Sequence, residues 1–160
     1  MAAIDNTQLT PPTSMGCAKN MNKPVTFMSY NSTGINSVKS LWIKETLQEQ
    51  EVDFCSIQEH FKTIKTTQQW FRQQFREYHC YTTQAYRMPG VDSGRGRGGL
   101  AQLANRQLAV TRTRVETKSL RLQAQKLTFS NCKLLWVNGY LPCDPQKQDF
   151  DDTELVNVLR

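Results

Sequence analysis

Three polar residues with ligand-binding chemistry follow or lie within apolar, strand-like runs. Asn31 ends "VTFMSYN", Glu59 ends "VDFCSIQE", and Tyr140 belongs to "KLLWVNGYLP". In open α/β sheets the strand ends form the ligand crevice, so polar groups from different strands can converge there. Each residue also has a structural explanation: Asn31 can open the turn "NSTG", Glu59 can be a solvated residue past a buried strand, and Tyr140 can be a core aromatic.

The elements that would position these residues alternate between strands and helices in the first half of the chain. A strand at 25–31 precedes a helix that begins after the N-cap Asn36 or Ser37 and covers "SVKSLWIKETLQEQ". The apolar spacing predicts that Val38, Leu41 and Trp42 form the inner face of this helix. Ile43 and Leu47 are predicted to broaden that face.

The strand "VDFCSIQE" follows directly, and then "TIKTTQQWFRQQFREY" predicts a second packing helix. "HCYTTQAY" reads as a short strand, and "RMPGVDSGRGRGG" as a loop, because glycine and proline break regular elements. Four strand candidates complete the pattern: "LAQLAN", "LAVTRTRVE", "SLRLQAQKLTF" and "KLLWVNGYLP". The order βαβαβ followed by strands predicts α/β layers around a mixed sheet, with antiparallel hairpins in the second half.

Composition narrows the class of protein. The hydrophobic fraction is 38%, no apolar run reaches the roughly 18 residues of a membrane helix, and the N-terminus has no secretory pattern, so we expect an intracellular protein. The five cysteines are scattered without CxxC spacing, which favours reduced thiols over a zinc site. Residues 61–142 carry fourteen basic and three acidic groups. That excess indicates either a solvated basic face or a polyanionic partner.

The chain divides into two parts. Residues 1–23 lack a hydrophobic period and contain the Pro11-Pro12 pair, so we expect a flexible leader there and one domain over 24–160. A helical pattern after Asp151 or Asp152 continues to Arg160 without a glycine stop or a following element. We therefore expect a part of a larger domain.

Six segments in order carry a resemblance to a known family. "TFMSYNSTGINS", "VDFCSIQEHF", "GRGRGGLAQLA", "LQAQKLTF", "LLWVNGYLPCDP" and "FDDTELVNVL" resemble the exonuclease-endonuclease-phosphatase superfamily. Within that superfamily, the segments most resemble the apurinic-endonuclease-like domain of non-LTR (LINE-type) retrotransposons. The resemblance covers about residues 24–160. The resemblance implies a truncated four-layered α/β-sandwich in which mixed sheets are flanked by helices. It also implies a reverse transcriptase domain in cis in a full-length element.

The resemblance assigns a role to each matched position. Glu59 matches the ligand of a divalent metal, Mg²⁺ or Mn²⁺, and Asn31 matches the asparagine beside the metal and phosphate. Tyr140 matches the tyrosine that positions the phosphate, and Asn138 stands two residues earlier on the same strand face. The implied activity is hydrolysis of a DNA phosphodiester for target nicking, with DNA or RNA as the partner and no membrane; nothing indicates an oligomer.

Two family motifs are absent from this sequence. Neither Gly-Asp-x-Asn nor Ser-Asp-His occurs, and the only histidines are His60 and His79. We expect His60 to be a rim residue beside Glu59. Without the missing acid-base pair we expect the 160-residue chain to be inactive. The alternatives are a non-catalytic remnant that binds nucleic acid and, more distantly, a phosphatase of the same superfamily.

The loop "GRGRGG" at 94–99 has two interpretations. It could bind RNA as an RGG-type element, or Gly98 and Gly99 could let the backbone turn tightly into the next strand. We favour the turn. In either case Arg95 and Arg97 could face a phosphate backbone.

Overall fold

The computed structural model describes residues 24–63, 66–87 and 96–140. They form two helices and seven strands. The elements in chain order are β1 (Phe27–Asn31), α1 (Ser37–Glu49), β2 (Phe54–Gln58), α2 (Thr67–Gln74), β3 (Tyr78–Thr83), β4 (Leu100–Asn105), β5 (Thr111–Val115), β6 (Leu122–Thr128) and β7 (Lys133–Gly139). The predicted order of βαβαβ followed by strands is confirmed. The predicted leader at 1–23 and the C-terminal helical pattern lie outside the described residues.

Two sheets pack face to face. The first has the order β1-β2-β4-β3 and is mixed, since β1 and β2 are parallel and the other pairs are antiparallel. The second is the antiparallel meander β5-β6-β7, which confirms the predicted hairpins. Strands β6 and β7 lie over β2 and β4. The α/β class with mixed sheets and flanking helices is therefore confirmed.

The first sheet is buried on both faces. On one side α1 and α2 cover a cluster that includes Ile43, Leu47, Phe71 and Ile57. On the other side the second sheet covers Phe54, which meets Trp136 edge-on with ring centroids 5.1 Å apart. Burial on both faces explains why β2 reads as a continuous apolar run rather than an alternating one.

Helix α1 begins as expected but turns a different face to the core. The side chain of Asn36 caps it by accepting from the backbone N–H of Lys39 at 2.8 Å. The predicted inner face is confirmed for Ile43 and Leu47, which are buried, but it was wrong for Val38, Leu41 and Trp42, which are exposed by 77%, 57% and 50%.

The buried stripe of α1 is Ser40, Ile43 and Leu47. The Ser40 hydroxyl donates to the side chain of Gln74 on α2 at 3.0 Å. This contact joins the buried face of α1 to α2, and the same hydroxyl lies 2.8 Å from the carbonyl oxygen of Ser37. Trp42 lies instead beside the ring of Tyr30, at 5.3 Å between centroids.

The second helix is shorter than its periodicity predicts. It ends at Gln74 with Phe75 as the C-cap, and Tyr78 already belongs to β3. Tyr78 is buried, and its hydroxyl is satisfied there by donating to the carbonyl oxygen of Val52 at 3.1 Å. Its apolar spacing therefore reflects packing against the same core from a strand.

None of the described helices is long and apolar enough to cross a membrane.

Candidate active site

The ends of β1 and β2 are joined by backbone and hydroxyl hydrogen bonds. Asn31 pairs in register with Gln58, so Glu59 follows immediately beside it. The buried hydroxyl of Ser32 lies 3.0 Å from the carbonyl oxygen of Gln58 and 3.1 Å from that of Glu59. The N–H of Gly34 donates to the same Glu59 carbonyl at 2.7 Å. Two of the predicted site residues are thus held at one edge of the sheet.

The backbone at Glu59 is in the left-handed region. Its φ is +53°, and Phe61 has a φ of +58°. A side chain in this region costs on the order of 1 kcal/mol, and such residues cluster at functional sites. The conformation turns the chain away from β2 straight after Gln58. Glu59 is half-buried there, so its carboxylate remains within reach of solvent.

The side chain of His60 is hydrogen-bonded on both sides of this turn. The N–H of Lys62 donates to Nδ1 of His60 at 3.0 Å, so Nδ1 is the acceptor and Nε2 carries the proton. Nε2 then donates to the carbonyl oxygen of Thr83 at 3.0 Å. Both ring nitrogens are engaged, and the ring also meets Phe71 edge-on.

The expectation that His60 is a rim residue was wrong. The side chain is 1% exposed, and burial lowers its pKa to about 4. It is therefore neutral at neutral pH and has no free nitrogen with which to take a proton from a reacting group. Its position shows that it fixes the backbone that carries Glu59.

Two glycines close the turn on the other side. The N–H groups of His60 and Phe61 donate to the carbonyl oxygens of Gly99 and Gly98 at 3.3 and 3.1 Å. Both glycines have positive φ, +69° at Gly98 and +86° at Gly99. A Cβ at Gly99 would lie 2.5 Å from Cε1 of His60. The tight turn predicted for this pair is present.

The arginines of the same loop are only partly within view. Arg95 lies outside the described residues. Arg97 is exposed, and its peptide exchanges hydrogen bonds of 2.8 and 3.0 Å with that of Tyr86. The nucleic-acid role predicted for these two arginines stays a prediction.

Tyr140 approaches the same edge from the second sheet. It follows β7 directly, is half-buried, and donates its backbone N–H to the carbonyl oxygen of Arg121 at 3.0 Å. A Cβ at Gly98 would lie 3.9 Å from Cδ1 of Tyr140. The carbonyl oxygen of Gly98 accepts from the N–H of Phe61, which belongs to the turn that carries Glu59. The Tyr140 ring therefore lies close to that turn.

Asn138 lies beneath this edge, between the sheets. It is 1% exposed, and its amide nitrogen donates to the carbonyl oxygens of Ile57 and Ala101 at 3.2 and 3.0 Å. Its amide oxygen accepts from Gln58 at 2.7 Å. The side chain joins β7 to β2 and β4, so the structure places it in a supporting position rather than at the open edge.

Sequence reasoning missed the polar layer to which Asn138 belongs. Gln125 donates to the buried Gln102 at 3.0 Å, and Gln102 donates to the carbonyl oxygen of Trp136 at 3.1 Å. Gln123 donates to Thr83 at 2.8 Å. The signal was the alternation in "LQAQ", which places two glutamines on one face of β6.

The oxygen donors at this edge fit a magnesium-type ion better than a zinc-type ion. Glu59 carries a carboxylate, and the amide oxygen of Asn31 accepts from the backbone N–H of Thr33 at 3.1 Å. Within the described ranges no group of three His, Cys, Asp or Glu side chains is placed to hold a metal. Magnesium commonly takes one or two protein carboxylates and completes its octahedron with water and substrate phosphate. The donor set suits that mode and excludes the closed cage of a structural zinc among these residues.

The layered mixed sheets have a fold that is also found in solved structures of other proteins. Among solved structures, the AP endonuclease LMAP from Leishmania major is similar with a TM-score of 0.55 and 13% identity, over 74% of this chain and 40% of that one. Truncated Caenorhabditis elegans TDP2 gives 0.51 and 14%, over 76% and 48%. The Xenopus laevis APE2 catalytic domain gives 0.50 and 19%, over 82% and 51%.

At these identities the feature shared with the three proteins is the fold. The chain spans from 40% to 51% of their lengths. No protein-family model and no curated protein matches the sequence.

Proposed function

We propose that this chain is the N-terminal part of a Mg²⁺- or Mn²⁺-dependent DNA endonuclease domain of the non-LTR retrotransposon type. The observation that carries the proposal is the left-handed Glu59 at the end of β2, held beside Asn31 by the bonds of Ser32 and Gly34. Backbone strain of this kind clusters at functional sites, and at Glu59 it coincides with the edge where the ends of β1 and β2 meet. The predicted boundaries, a leader over 1–23 and a domain over 24–160, are part of the proposal.

The chain's own residues would hold and orient the substrate. Glu59 and Asn31 would hold the divalent ion, which when bound supplies polarisation of the phosphoryl oxygen and stabilisation of the leaving alkoxide. Tyr140, beside Gly98, would orient the phosphate. Asn138 and His60 would act by positioning, since both are buried and fully bonded.

No described residue is placed to act as the general base. His60 is neutral with both nitrogens engaged, and the sequence has no Ser-Asp-His or Gly-Asp-x-Asn motif. General acid-base groups typically contribute about 10²–10⁴-fold to rate. We therefore expect the 160-residue chain to bind the ion and DNA weakly and not to nick DNA at a measurable rate.

The decisive experiment uses a longer chain in which the reading frame continues through both missing motifs. Nicking of supercoiled plasmid with Mg²⁺ should fall by at least about 100-fold in Glu59→Gln, because losing a metal-bound carboxylate removes several kcal/mol of charge stabilisation. Glu51→Gln is the matched control. Glu51 is also a left-handed glutamate, with a φ of +47°, but it precedes β2 at the opposite end.

The control should nick within about twofold of the parent protein. Unchanged nicking by Glu59→Gln would remove Glu59 from the mechanism. A reading frame without the two motifs would refute the endonuclease proposal as a whole. The expected reverse transcriptase domain in cis is checked by the same extended sequence.

The alternative is a non-catalytic remnant that binds nucleic acid through its basic residues 61–142. It predicts binding to DNA or RNA in EDTA that weakens steeply with salt and ignores base sequence. Absence of any binding at low salt would exclude it. No observation in the structure favours the phosphatase alternative.

A further inference from the structure

A cavity lies away from Glu59, between the edges of the two sheets. It is a cavity of about 320 Å³, at the small end of the range of ligand pockets. It opens where β3, at the edge of the first sheet, faces β5, at the edge of the second. Its lining residues are Arg72, His79, Cys80, Tyr81, Arg106, Arg112, Arg114 and Gln125. We call it the arginine pocket.

The arginine pocket concentrates positive charge. Four of the eight lining residues are arginines, contributed by α2, the turn after β4, and β5, and none of the eight is acidic. Glu77, which precedes β3, is ion-paired with Lys44 of α1 at 3.3 Å. Four guanidinium groups around one cavity repel one another, so an anion in the cavity would relieve that repulsion.

The pKa values of two groups that line the pocket are lowered, mainly by burial and further by the neighbouring arginines. Burial, together with the charge of Arg106, lowers the pKa of Arg112. Burial lowers the pKa of His79 as well, with further contributions from Arg112, Arg106 and Arg72. His79 is therefore neutral at neutral pH, and the arginines provide the charge.

Two of the arginines are held in place. Nε of Arg106 donates to the carbonyl oxygen of Tyr78 at 3.2 Å, which leaves its terminal nitrogens for other acceptors. The guanidinium of Arg114 lies 4.3 Å from the centre of the Tyr81 ring. A planar guanidinium fixed in this way loses little freedom on binding and matches the oxygens of a phosphate bidentately.

The pocket and the candidate active site lie at opposite ends of β4. Leu100, the first residue of β4, pairs with Gln58, the residue before Glu59. Ala104, near the other end, pairs with His79. At about 3.3 Å per residue, the four steps from Leu100 to Ala104 separate the two places by about 13 Å along the strand. One phosphate cannot occupy both.

We propose that the arginine pocket binds phosphate groups of a nucleic-acid strand. Four guanidiniums exceed the charge of one free phosphate, and three of them, on Arg72, Arg106 and Arg114, are exposed around the opening. That arrangement suits a chain of phosphates that enters the cavity and continues past it. The inference rests on the proposed function only in taking nucleic acid as the partner, and it requires no cleavage.

The test measures binding of a labelled single strand of about 15 nucleotides to the 160-residue chain in EDTA, from about 50 to 200 mM salt. Arg112→Gln/Arg114→Gln should weaken binding at least about tenfold. It should also make the slope of log K against log salt shallower by about 1.4, since each phosphate contact on a single strand contributes about 0.7. Arg112→Lys/Arg114→Lys keeps the charge and should retain most of the slope.

The matched control is Lys126→Gln/Lys133→Gln, which removes two exposed charges from β6 and β7 outside the pocket. It should bind within about threefold of the parent chain. Equal losses in the control and the pocket variant, or no loss in the pocket variant, would overturn the inference. Thermal melting checks that each variant is folded. If the double variant is not folded, the measurement is repeated with Arg114→Gln alone, which changes an exposed position.

A nucleoside monophosphate as competitor separates the two sources of phosphate. We expect it to displace the strand only at concentrations at least about 100-fold above that of an unlabelled strand, because it makes fewer ionic contacts. Competition at equal concentration would identify a free nucleotide as the ligand and overturn the nucleic-acid assignment. Because the assay contains EDTA and measures binding alone, its result does not depend on whether an extended chain nicks DNA.

Discussion

At the scale of single residues, the turn from Glu59 to Phe61 depends on a histidine and a glycine that fit against each other. His60 fills the space where a side chain at residue 99 would lie, and its ring bonds Thr83 and Lys62. Glu59 is only half-buried at this edge, whereas its neighbour His60 is packed inward. Positions of this kind tolerate few substitutions, since both the space and the backbone conformation are fixed.

The first prediction concerns Gly99. Gly99→Ala should lower the free energy of unfolding by at least about 2 kcal/mol, because the new methyl meets the His60 ring and the backbone keeps a φ of +86°. Gly139→Ala is the control, since its Cβ would come no closer than 3.6 Å to Leu122 and should change stability by less than about 1 kcal/mol. Urea unfolding measures both. Equal effects would contradict the packing described here.

The second prediction is a pH dependence of stability that comes from His60. Its folded pKa of about 4 lies below the ordinary value of 6.5, so the unfolded chain binds the proton that the folded chain excludes. The stability that His60 contributes is complete above pH 6.5 and is lost as the pH falls toward 4. His60 should therefore make the free energy of unfolding about 2 kcal/mol lower at pH 5 than at pH 7, as measured by unfolding in urea.

Two variants assign that dependence to a residue. His60→Gln should flatten the change between the two pH values, whereas His79→Gln, at an exposed position on β3, should keep most of it. If the His60 variant retained the full pH dependence, another group would be responsible, and the neutral, buried state of His60 would be in doubt.

At the scale of elements, α1 shows that an apolar residue on a helix need not face the core. The helix contains two overlapping apolar stripes, and the one with Ile43 and Leu47 packs into the core that α1 shares with α2 and the first sheet. The other stripe, Val38, Leu41 and Trp42, remains exposed among the described residues. The elements that a helix contacts therefore decide its rotation.

The third prediction tests this orientation. Leu47→Ala should cost about 2–5 kcal/mol of stability, since the side chain is 1% exposed and its removal leaves a cavity. Leu41→Ala makes the same chemical change on the exposed stripe and should stay within about 0.5 kcal/mol. Chemical denaturation distinguishes them. A larger loss at Leu41 than at Leu47 would support the face that the spacing alone predicts.

At the scale of the whole molecule, a polar layer joins the two sheets. Asn138, Gln102, Gln123 and Gln125 are buried between them and hydrogen-bonded to strands of both. Trp136 adds a bond from its ring N–H to the hydroxyl of Ser56 at 2.9 Å. Such a layer fixes the register of one sheet over the other, because a shifted packing would leave buried polar groups without partners.

The fourth prediction measures that layer. Asn138→Ala removes donors to two backbone carbonyl groups and should lower stability by about 2–4 kcal/mol, because the carbonyls of Ile57 and Ala101 stay buried. Asn131→Ala, at an exposed turn of the same hairpin, is the control and should change stability by less than about 0.5 kcal/mol. A similar, small effect of both variants would show that the layer does not couple the sheets.

Much of the fold follows from local patterns in the sequence. The alternation of strands and helices, the cap at Asn36 and the glycine turn at 98–99 are all present where the residue types predict them. The placement of Asn31 and Glu59 on adjacent strand ends also follows, because the ends of neighbouring parallel strands meet at one edge. These features depend on residues close together in the chain or on the direction of neighbouring strands.

Only the tertiary structure decided the surroundings of these groups. It buried His60 against Thr83 and Gly99, rotated α1, placed Asn138 between the sheets, and gathered arginines from three elements around one cavity. Each of these outcomes depends on contacts between residues far apart in the sequence. Periodicity specifies which faces of an element are apolar, but it does not specify which neighbour each face will meet.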